Sequence, residues 1–558
     1  MPSSGGERLD TGGIAVRADA DRLDPGLRRI EAFGAPRAQG AAALVEPDRV
    51  LQRGIARFQL SDDRLQLAHR RFERQGLDRL IHLRVVWGSA GARVKDTQGL
   101  ANVCRAMFQS INPATGAKGD TFAELTTDEI EARVQRAHDA FETWRVTPIA
   151  ERARFVEAIA EQFEANKRRL AEIATREMGK TLASAIAEVE KCAAGFRHYA
   201  QNAPAMLEPR RVATSAGTAR TLFLPLGPVL AVMPWNFPYW QVVRFMAPTL
   251  MAGNVGLLKH ASLTQGCAAA IEEMAIAAGL PAGVFQNLAI KSDRVDALIS
   301  DDRIVAVTLT GSEGAGAKVA ESAGRNLKKV VLELGGSDPF IVMPSADLDK
   351  AAAIAAKARV QNAGQSCICA KRMIVHADVY DAFLEKFSAA MKAVKTGDPM
   401  DATFDMGPLS SEEQRQTVLD QLEMMKQAGA TLMFGGEKLT GPGAFMSPGV
   451  LTDVPIDSPV AQEELFGPIA MVFRAADIDA AIALANDVPF GLGSSVWTND
   501  AAERERFERD IAAGMTAVNQ MLASSPEAPF GGIKKSGHGR ELGVYGLHEF
   551  MNLKTVFE

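Results

Sequence analysis

Cys367 sits in the run QNAGQSCICAKR, beside Asn362, Gly364, Gln365 and Ser366, a small polar stretch that is poor core material. The run reads as a loop leading into a helix, where peptide N–H groups and the helix N-terminus lower a thiol pKa and favour the thiolate. A thiolate so placed attacks a carbonyl and forms a covalent adduct. A lone cysteine reads more simply as a buried structural thiol; the neighbours favour the nucleophile. Glu333, in VVLELGG, closes an otherwise apolar strand just before a glycine pair. Ligands bind at such strand ends in α/β sheets, and a glutamate there can take a proton from water. On its own it reads equally as a solvated strand end. Asn236, in MPWNFPYWQ, follows a strand on a proline-flanked loop. Its amide can donate to a developing oxyanion, although a plain turn asparagine fits the same pattern.

Two further elements suit a phosphate or ribose. Lys259 ends the apolar run of LLKHAS. Gly311 and Ser312, in TLTGSEGAG, follow a strand and open a helix. A helix N-terminus is a ready site for phosphate, but Gly-x-x-Gly-x-Gly is the wrong order for the usual dinucleotide fingerprint. MGKT at 178–181 has the ending of a P-loop, but alanine stands at position 174 where its first glycine belongs, so a P-loop is rejected. The eight histidines are scattered, none at metal-ligand spacing, and no catalytic metal is expected.

The elements that position these residues follow from hydrophobic spacing. TDEIEARVQRAHDAFETW has helical periodicity behind a Thr/Asp cap. Two more helical stretches reach about residue 200. Then GPVLAVMP, NVGLLK, IVAVTLT and KKVVLEL read as buried strands, with helical patterns near 239–252, 264–279 and 312–326 between them. A second strand–helix series runs from about 346 to 520. Such alternation predicts an α/β fold with parallel sheets.

The 558 residues allow about three to four domain-sized units. With 47% hydrophobic and 23% charged residues, a wholly disordered chain, a collagen and a coiled coil are excluded. A net charge of −6 gives no support to nucleic-acid binding. Five cysteines suit a reducing cytoplasm rather than a disulfide scaffold, and no secretory signal is seen. Residues 221–243 are uncharged and long enough to span a bilayer, but Pro225, Pro228, Pro234 and Pro238 break any lipid-exposed helix. Strand, loop and helix start are expected there instead. Residues 1–106 carry seventeen arginines and one lysine, with a weak hydrophobic pattern. They read as an N-terminal extension, either a disordered tail or translation from an upstream start, with a targeting arm as the functional alternative. Met107 is the candidate true start.

Taken in order, PWNFP, LELGG, GQSC, EELFGP, NDVPFGLGSSVWT and PFGGIKKSG resemble the aldehyde dehydrogenase superfamily over some 450 residues, from about Ile111 to Glu558. PWNFPYWQVVR, LLKHAS, LELGGSDPFIV and the C-terminal KKSGHGREL have the look of its bacterial succinate-semialdehyde dehydrogenases. The resemblance implies an α/β protein with a Rossmann-type NAD(P)-binding domain (107–205 and 226–334), a catalytic domain (335–535) and small oligomerisation segments (206–225 and 536–558). It implies a homodimer or homotetramer. Cys367 would be the nucleophile, Glu333 the general base and Asn236 the oxyanion donor. Trp235, Lys259, Ser262, Gly311, Ser312, Glu464 and Phe466 would bind the cofactor. A carboxylate three residues after the lysine would repel a 2′-phosphate. Ser262 stands there, so NADP is favoured, with NAD also accepted. His260, where many relatives have proline, either adds positive charge or has no effect.

Arg244 and Ser524 would hold a distal carboxylate on the aldehyde, Arg244 otherwise being a structural ion pair. Some relatives supply another arginine where this chain has Gln361. Certain relatives with the Cys367–Cys369 spacing form an inactivating disulfide, against which Cys369 is a small buried residue. The implied reaction is oxidation of succinate semialdehyde to succinate. Another carboxylated aldehyde such as glutarate semialdehyde, a CoA-acylating enzyme and a non-catalytic scaffold are the alternatives.

Overall fold

A computed structural model describes residues 106–558 and, before them, a short antiparallel pair, Ile14–Val16 with Ala56–Phe58. The chain divides into two units, Met1–Cys104 and Arg105–Glu558, each taken by itself. The expectations for residues 1–105 otherwise lie outside the described residues.

The second unit is built on two sheets, each with its own core. The first has six strands in the order Gly537–His538, Lys329–Glu333, Ala306–Thr310, Pro228–Met233, Val255–His260, Phe285–Asn287. The last five run parallel, and Gly537–His538 pairs antiparallel at the edge. All four apolar runs read as strands are present, because each is buried on both faces, as parallel strands must be. The chain runs from Pro228–Met233 outward to one side, then returns to place Ala306–Thr310 on the other. That makes a switch point between those two strands, and the crevice beyond their carboxyl ends is where ligands bind in open α/β sheets. Asn236, Lys259, Gly311 and Glu333 all lie at or just beyond such ends.

The expected helices are Thr127–Trp144, Trp240–Ala252, Gln265–Ala277 and Glu313–Arg325. The first opens with a reciprocal capping box between Thr126 and Glu129. The uncharged 221–243 stretch resolves into strand, strand, loop and helix start, and no described helix is long and apolar enough to cross a membrane. MGKT is the end of the helix Lys167–Met178, with Gly179 as its left-handed cap at φ 85°.

The second sheet has seven strands in the order Thr431–Phe434, Gly449–Thr452, Ile469–Ala475, Ala370–His376, Asp338–Val342, Gly493–Trp497, Met515–Val518. All but the first pairing are parallel. A third, antiparallel sheet joins Met551–Phe557, Gly217–Pro225 and Arg210–Thr214. The expected segment 536–558 is therefore shared: Gly537–His538 belongs to the first sheet and only its last strand to the third.

Candidate active site

Cys367 does not lead into a helix. It follows the tight turn Gln361–Gly364 and precedes the strand Ala370–His376, whose apolar residues hide a buried Lys371 and Arg372 in sequence. Asn362, Ala363 and Gly364 take φ of 53°, 55° and 75° in succession. Three left-handed residues in a row are costly and persist only when their surroundings hold them. Here Asn362 Nδ2 donates to the Asn236 carbonyl at 2.8 Å and to the Gln365 carbonyl at 3.1 Å, and Gln365 Nε2 returns a bond to the Asn362 carbonyl at 3.0 Å. The buried Arg359 guanidinium donates to the carbonyls of Gly364, at 3.2 Å, and Leu465, at 3.1 Å. A Cβ on Gly364 would run into the Gly467 backbone, so only glycine fits.

The same network brings Asn236 to the cysteine loop. Its Nδ2 donates to the Gln365 carbonyl at 3.2 Å, while Oδ1 accepts from the Phe237 N–H at 3.1 Å and from Gln241 Nε2 at 3.4 Å. One amide proton stays available. Among the described residues the peptide N–H of Cys367 has no partner either. Two donors are thus free beside the thiol.

The turn that holds Cys367 runs into a strand rather than opening a helix, and the expected depression of the thiol pKa is overturned. Burial pushes Cys367 up to about 12, against the opposing charges of Arg244 and Lys371. Glu333 is fully buried at its strand end rather than solvated, and neither carboxyl oxygen has a hydrogen-bond partner among the described residues. Burial, then the charge of Glu541, pushes its pKa well above the usual carboxylate range, with Arg244 and Arg540 opposing.

A cavity of about 160 Å³ opens on Cys367 and is lined by Lys191, Trp240, Arg244, Gln361, Ser524 and Phe530, among others. Arg244 is buried, ion-paired through Nε to Glu541 at 2.7 Å, bonded to Gln241 and stacked 4.4 Å over the Phe530 ring. The ion pair is present, and the same side chain lines the cavity. Ser524 Oγ accepts from Lys191 Nζ and from Trp240 Nε1, each at 2.9 Å. A larger cavity of about 620 Å³ reaches Gln361 but none of the candidate catalytic residues.

These features meet a family pattern. The aldehyde dehydrogenase family model matches residues 101–556. The chain belongs to the aldehyde dehydrogenase family. It is 53% identical over 451 residues to succinate-semialdehyde dehydrogenase 1 (NADP+) of Mycobacterium tuberculosis, covering 80% of this chain and 99% of the relative. The corresponding protein of Mycobacterium ulcerans is 52% identical over 450 residues, with 80% and 98% covered. Among solved structures, succinic semialdehyde dehydrogenase of Streptococcus pyogenes, in complex with NADP+, superposes with a TM-score of 0.79 at 38% identity. That match covers 81% of this chain and 99% of the other.

On the cofactor side of this family fold, Lys259 is buried at its strand end, its pKa lowered by burial, and donates to Ser292 Oγ at 3.3 Å. Ser262 is exposed just beyond, in the turn Ser262–Thr264. Ser312 is the exposed cap of Glu313–Arg325 and follows Gly311 at the end of Ala306–Thr310. Trp235 and Phe466 meet edge to face at 5.7 Å. His260 adds no positive charge. Burial lowers its pKa to about 4, and the neutral ring sits between the Pro238 carbonyl at 2.9 Å and the Ala261 N–H and Thr264 hydroxyl, both at 2.8 Å. It ties the Lys259 strand to the Asn236 loop.

Two cations escaped the sequence reading. Lys371 Nζ, fully buried, donates to the Ser366 carbonyl at 2.9 Å and the Cys367 carbonyl at 2.7 Å, and pairs with Glu464 at 2.9 Å. It joins the cysteine loop to the expected ribose ligand. Lys191, on the helix Leu182–Met206, reaches the cavity. A lysine buried in an apolar strand was the available signal for Lys371; Lys191 sits among ordinary helix residues and gave none. Cys367 and Cys369 are both free thiols. Cys369 is buried, with its Sγ 3.6 Å from the Gln361 carbonyl.

Proposed function

We propose that this chain oxidises succinate semialdehyde to succinate with NADP, and with NAD as a second cofactor. The observation that carries the reading is the small cavity with Cys367 at one side and Arg244, Ser524 and Lys191 around it, which suits a short aldehyde bearing a carboxylate. The curated relatives, named for that activity, support the same substrate.

A deprotonated Glu333 relays the Cys367 thiol proton to solvent, the sulfur bonds to the aldehyde carbon, and the carbonyl π pair moves onto oxygen. The peptide N–H of Cys367 and the free amide proton of Asn236 receive the developing oxyanion. Bound NADP would supply the hydride acceptor for the step in which the Cys367 adduct becomes a thioester. Glu333, once deprotonated, takes a proton from water, and attack on the thioester releases the acid. Among the described residues no hydrogen bond ties its buried carboxyl in place, which suits a base that changes position between these steps.

The NAD(P) site fits the residues present. Lys259 and Ser262 would hold the adenosine ribose and a 2′-phosphate, Gly311 and Ser312 the pyrophosphate, and Glu464 the nicotinamide ribose, with Trp235 and Phe466 packing near the ring. An exposed serine three residues after the lysine, where a carboxylate would repel a phosphate, supports NADP. The sheet at 228–333 with its preceding helices serves as the cofactor domain and the seven-stranded sheet as the catalytic domain. The third sheet is the proposed oligomerisation element: Val212, Leu553 and Phe557 are exposed on it, which suits burial in a homodimer or homotetramer. The free cysteines support a reducing cytoplasm.

Steady-state oxidation of succinate semialdehyde and butanal, each with NADP and NAD, tests the reading. A kcat/KM at least about tenfold higher for the semialdehyde is expected, worth about 1.4 kcal/mol in the transition state. Equal values for the two aldehydes would overturn the substrate, and a preference for NAD would overturn the cofactor.

A further inference from the structure

We infer that Lys191 is the main charge partner of the substrate carboxylate, with the Ser524 hydroxyl and the Trp240 indole beside it. The inference rests on the proposed reaction and names the group that selects its substrate.

The argument is one of donors without acceptors. Arg244 is engaged by Glu541, Gln241 and the Phe530 face, so much of its charge is already compensated. Glu188, the acidic residue lining the cavity, is paired with Lys180 and accepts from the Tyr239 and Trp240 N–H groups at 2.9 Å each. That leaves Lys191. Among the described residues no carboxylate lies within ion-pair distance of its ammonium. Its one hydrogen bond goes to Ser524 Oγ at 2.9 Å, and Nζ stands 4.5 Å over the Trp240 ring. Ser524 Oγ also accepts from the Trp240 indole, so its own proton points to no acceptor in the protein. An ammonium, an indole N–H and a hydroxyl thus converge with one shared oxygen and no anion. A carboxylate with two oxygens satisfies such a cluster. It would also supply the charge that Gln361, an amide where some relatives have arginine, does not.

Burial lowers the Lys191 pKa to about 8, Arg244 adding to the effect while Cys192, Glu188 and Glu527 oppose it. These are the titratable and charged groups that face it. Binding an anion favours the charged ammonium, so the advantage of a carboxylated aldehyde is full below about pH 8 and falls above it. The Cys367 thiol titrates for any aldehyde and cancels in a ratio of substrates.

The test uses the full chain with NADP, comparing the wild type with Lys191→Met and Lys191→Arg on succinate semialdehyde and butanal from about pH 6 to 9.5. For Lys191→Met, kcat/KM for the semialdehyde should fall about thirtyfold or more, chiefly through KM, with the loss for butanal at least about tenfold smaller. Lys191→Arg should keep most of the preference and lose its decline at high pH, since a guanidinium stays charged. If Lys191→Met loses both substrates equally, the lysine is structural, and if it keeps the preference, another group binds the carboxylate; either result overturns the inference. A wild type with no preference would instead defeat the proposed substrate itself. Should Lys191→Met not fold, Lys191→Gln carries the same comparison.

Discussion

The Cys367 thiol and the Glu333 carboxyl are both pushed up by burial, and the charge of Glu333 raises Cys367 further. The Cys367 thiol, pushed up to about 12, is not ionised at neutral pH, which shields it from random electrophiles. The thiol rather than the thiolate therefore dominates across the physiological range. With the pKa at about 12, the thiolate fraction grows tenfold with each pH unit below that value. Inactivation by iodoacetamide, followed at several pH values, should accelerate about tenfold per unit from about pH 7 to 9 without levelling off. A plateau near neutrality would show a thiol already activated in the free protein, and the balance of burial over the Arg244 and Lys371 charges would be misjudged. Cys367, Glu333 and Asn236 stood out in sequence because small polar loops and a strand-end carboxylate are unusual company. The ionisation of Cys367 was misread and that of Glu333 was not visible, because both depend on which charges fold beside them: Glu541 lies more than two hundred residues after Glu333 in the chain.

Elements differ in how plainly the sequence shows them, and the reason is burial. Pro228–Met233, Val255–His260, Ala306–Thr310 and Lys329–Glu333 were readable because a parallel strand covered on both faces needs an unbroken apolar run. Ala370–His376 was not, since Lys371 and Arg372 look solvated until their partners are known. Arg372 donates to the carbonyls of Ser337, Leu484 and Ala485, and Lys371 to those of Ser366 and Cys367. Carbonyls at loop ends are acceptors that no sequence pattern announces. Lys371 is thus a positioning residue, acting through the cysteine loop and Glu464. Replacing it in Lys371→Met leaves two carbonyls without their ammonium donor and a half-buried Glu464 without its cation. The expected cost is about 2 to 4 kcal/mol of stability, read as a lower thermal unfolding midpoint. With Glu464 released from its hold, KM for NADP should rise about tenfold. A variant with unchanged midpoint and unchanged KM would show that the loop and Glu464 are held by other contacts.

At the scale of the whole chain, the proposed catalytic parts sit in one unit. Both sheets, both cores and every residue named for the site fall between Val134 and Met551, and the first strand of the unit begins at Met107. The family model starts at residue 101, and the Mycobacterium tuberculosis relative is matched over 99% of its own length by 80% of this chain. A protein of that family therefore works without a counterpart to most of the first hundred residues. The strand Met107–Ile111 pairs with Lys118–Ala123, and Phe108 is buried against the unit, so a chain begun at Met107 keeps its first structural contacts. Such a chain, residues 107–558, should express in soluble form, with kcat/KM for succinate semialdehyde within about twofold of the full chain. Its unfolding midpoint should also be unchanged, since neither core loses a residue. An insoluble product would mean that the earlier residues help the unit fold. A soluble but slow one would mean that they act on the site, and the comparison of KM with kcat would then separate an effect on aldehyde binding from one on the chemical steps.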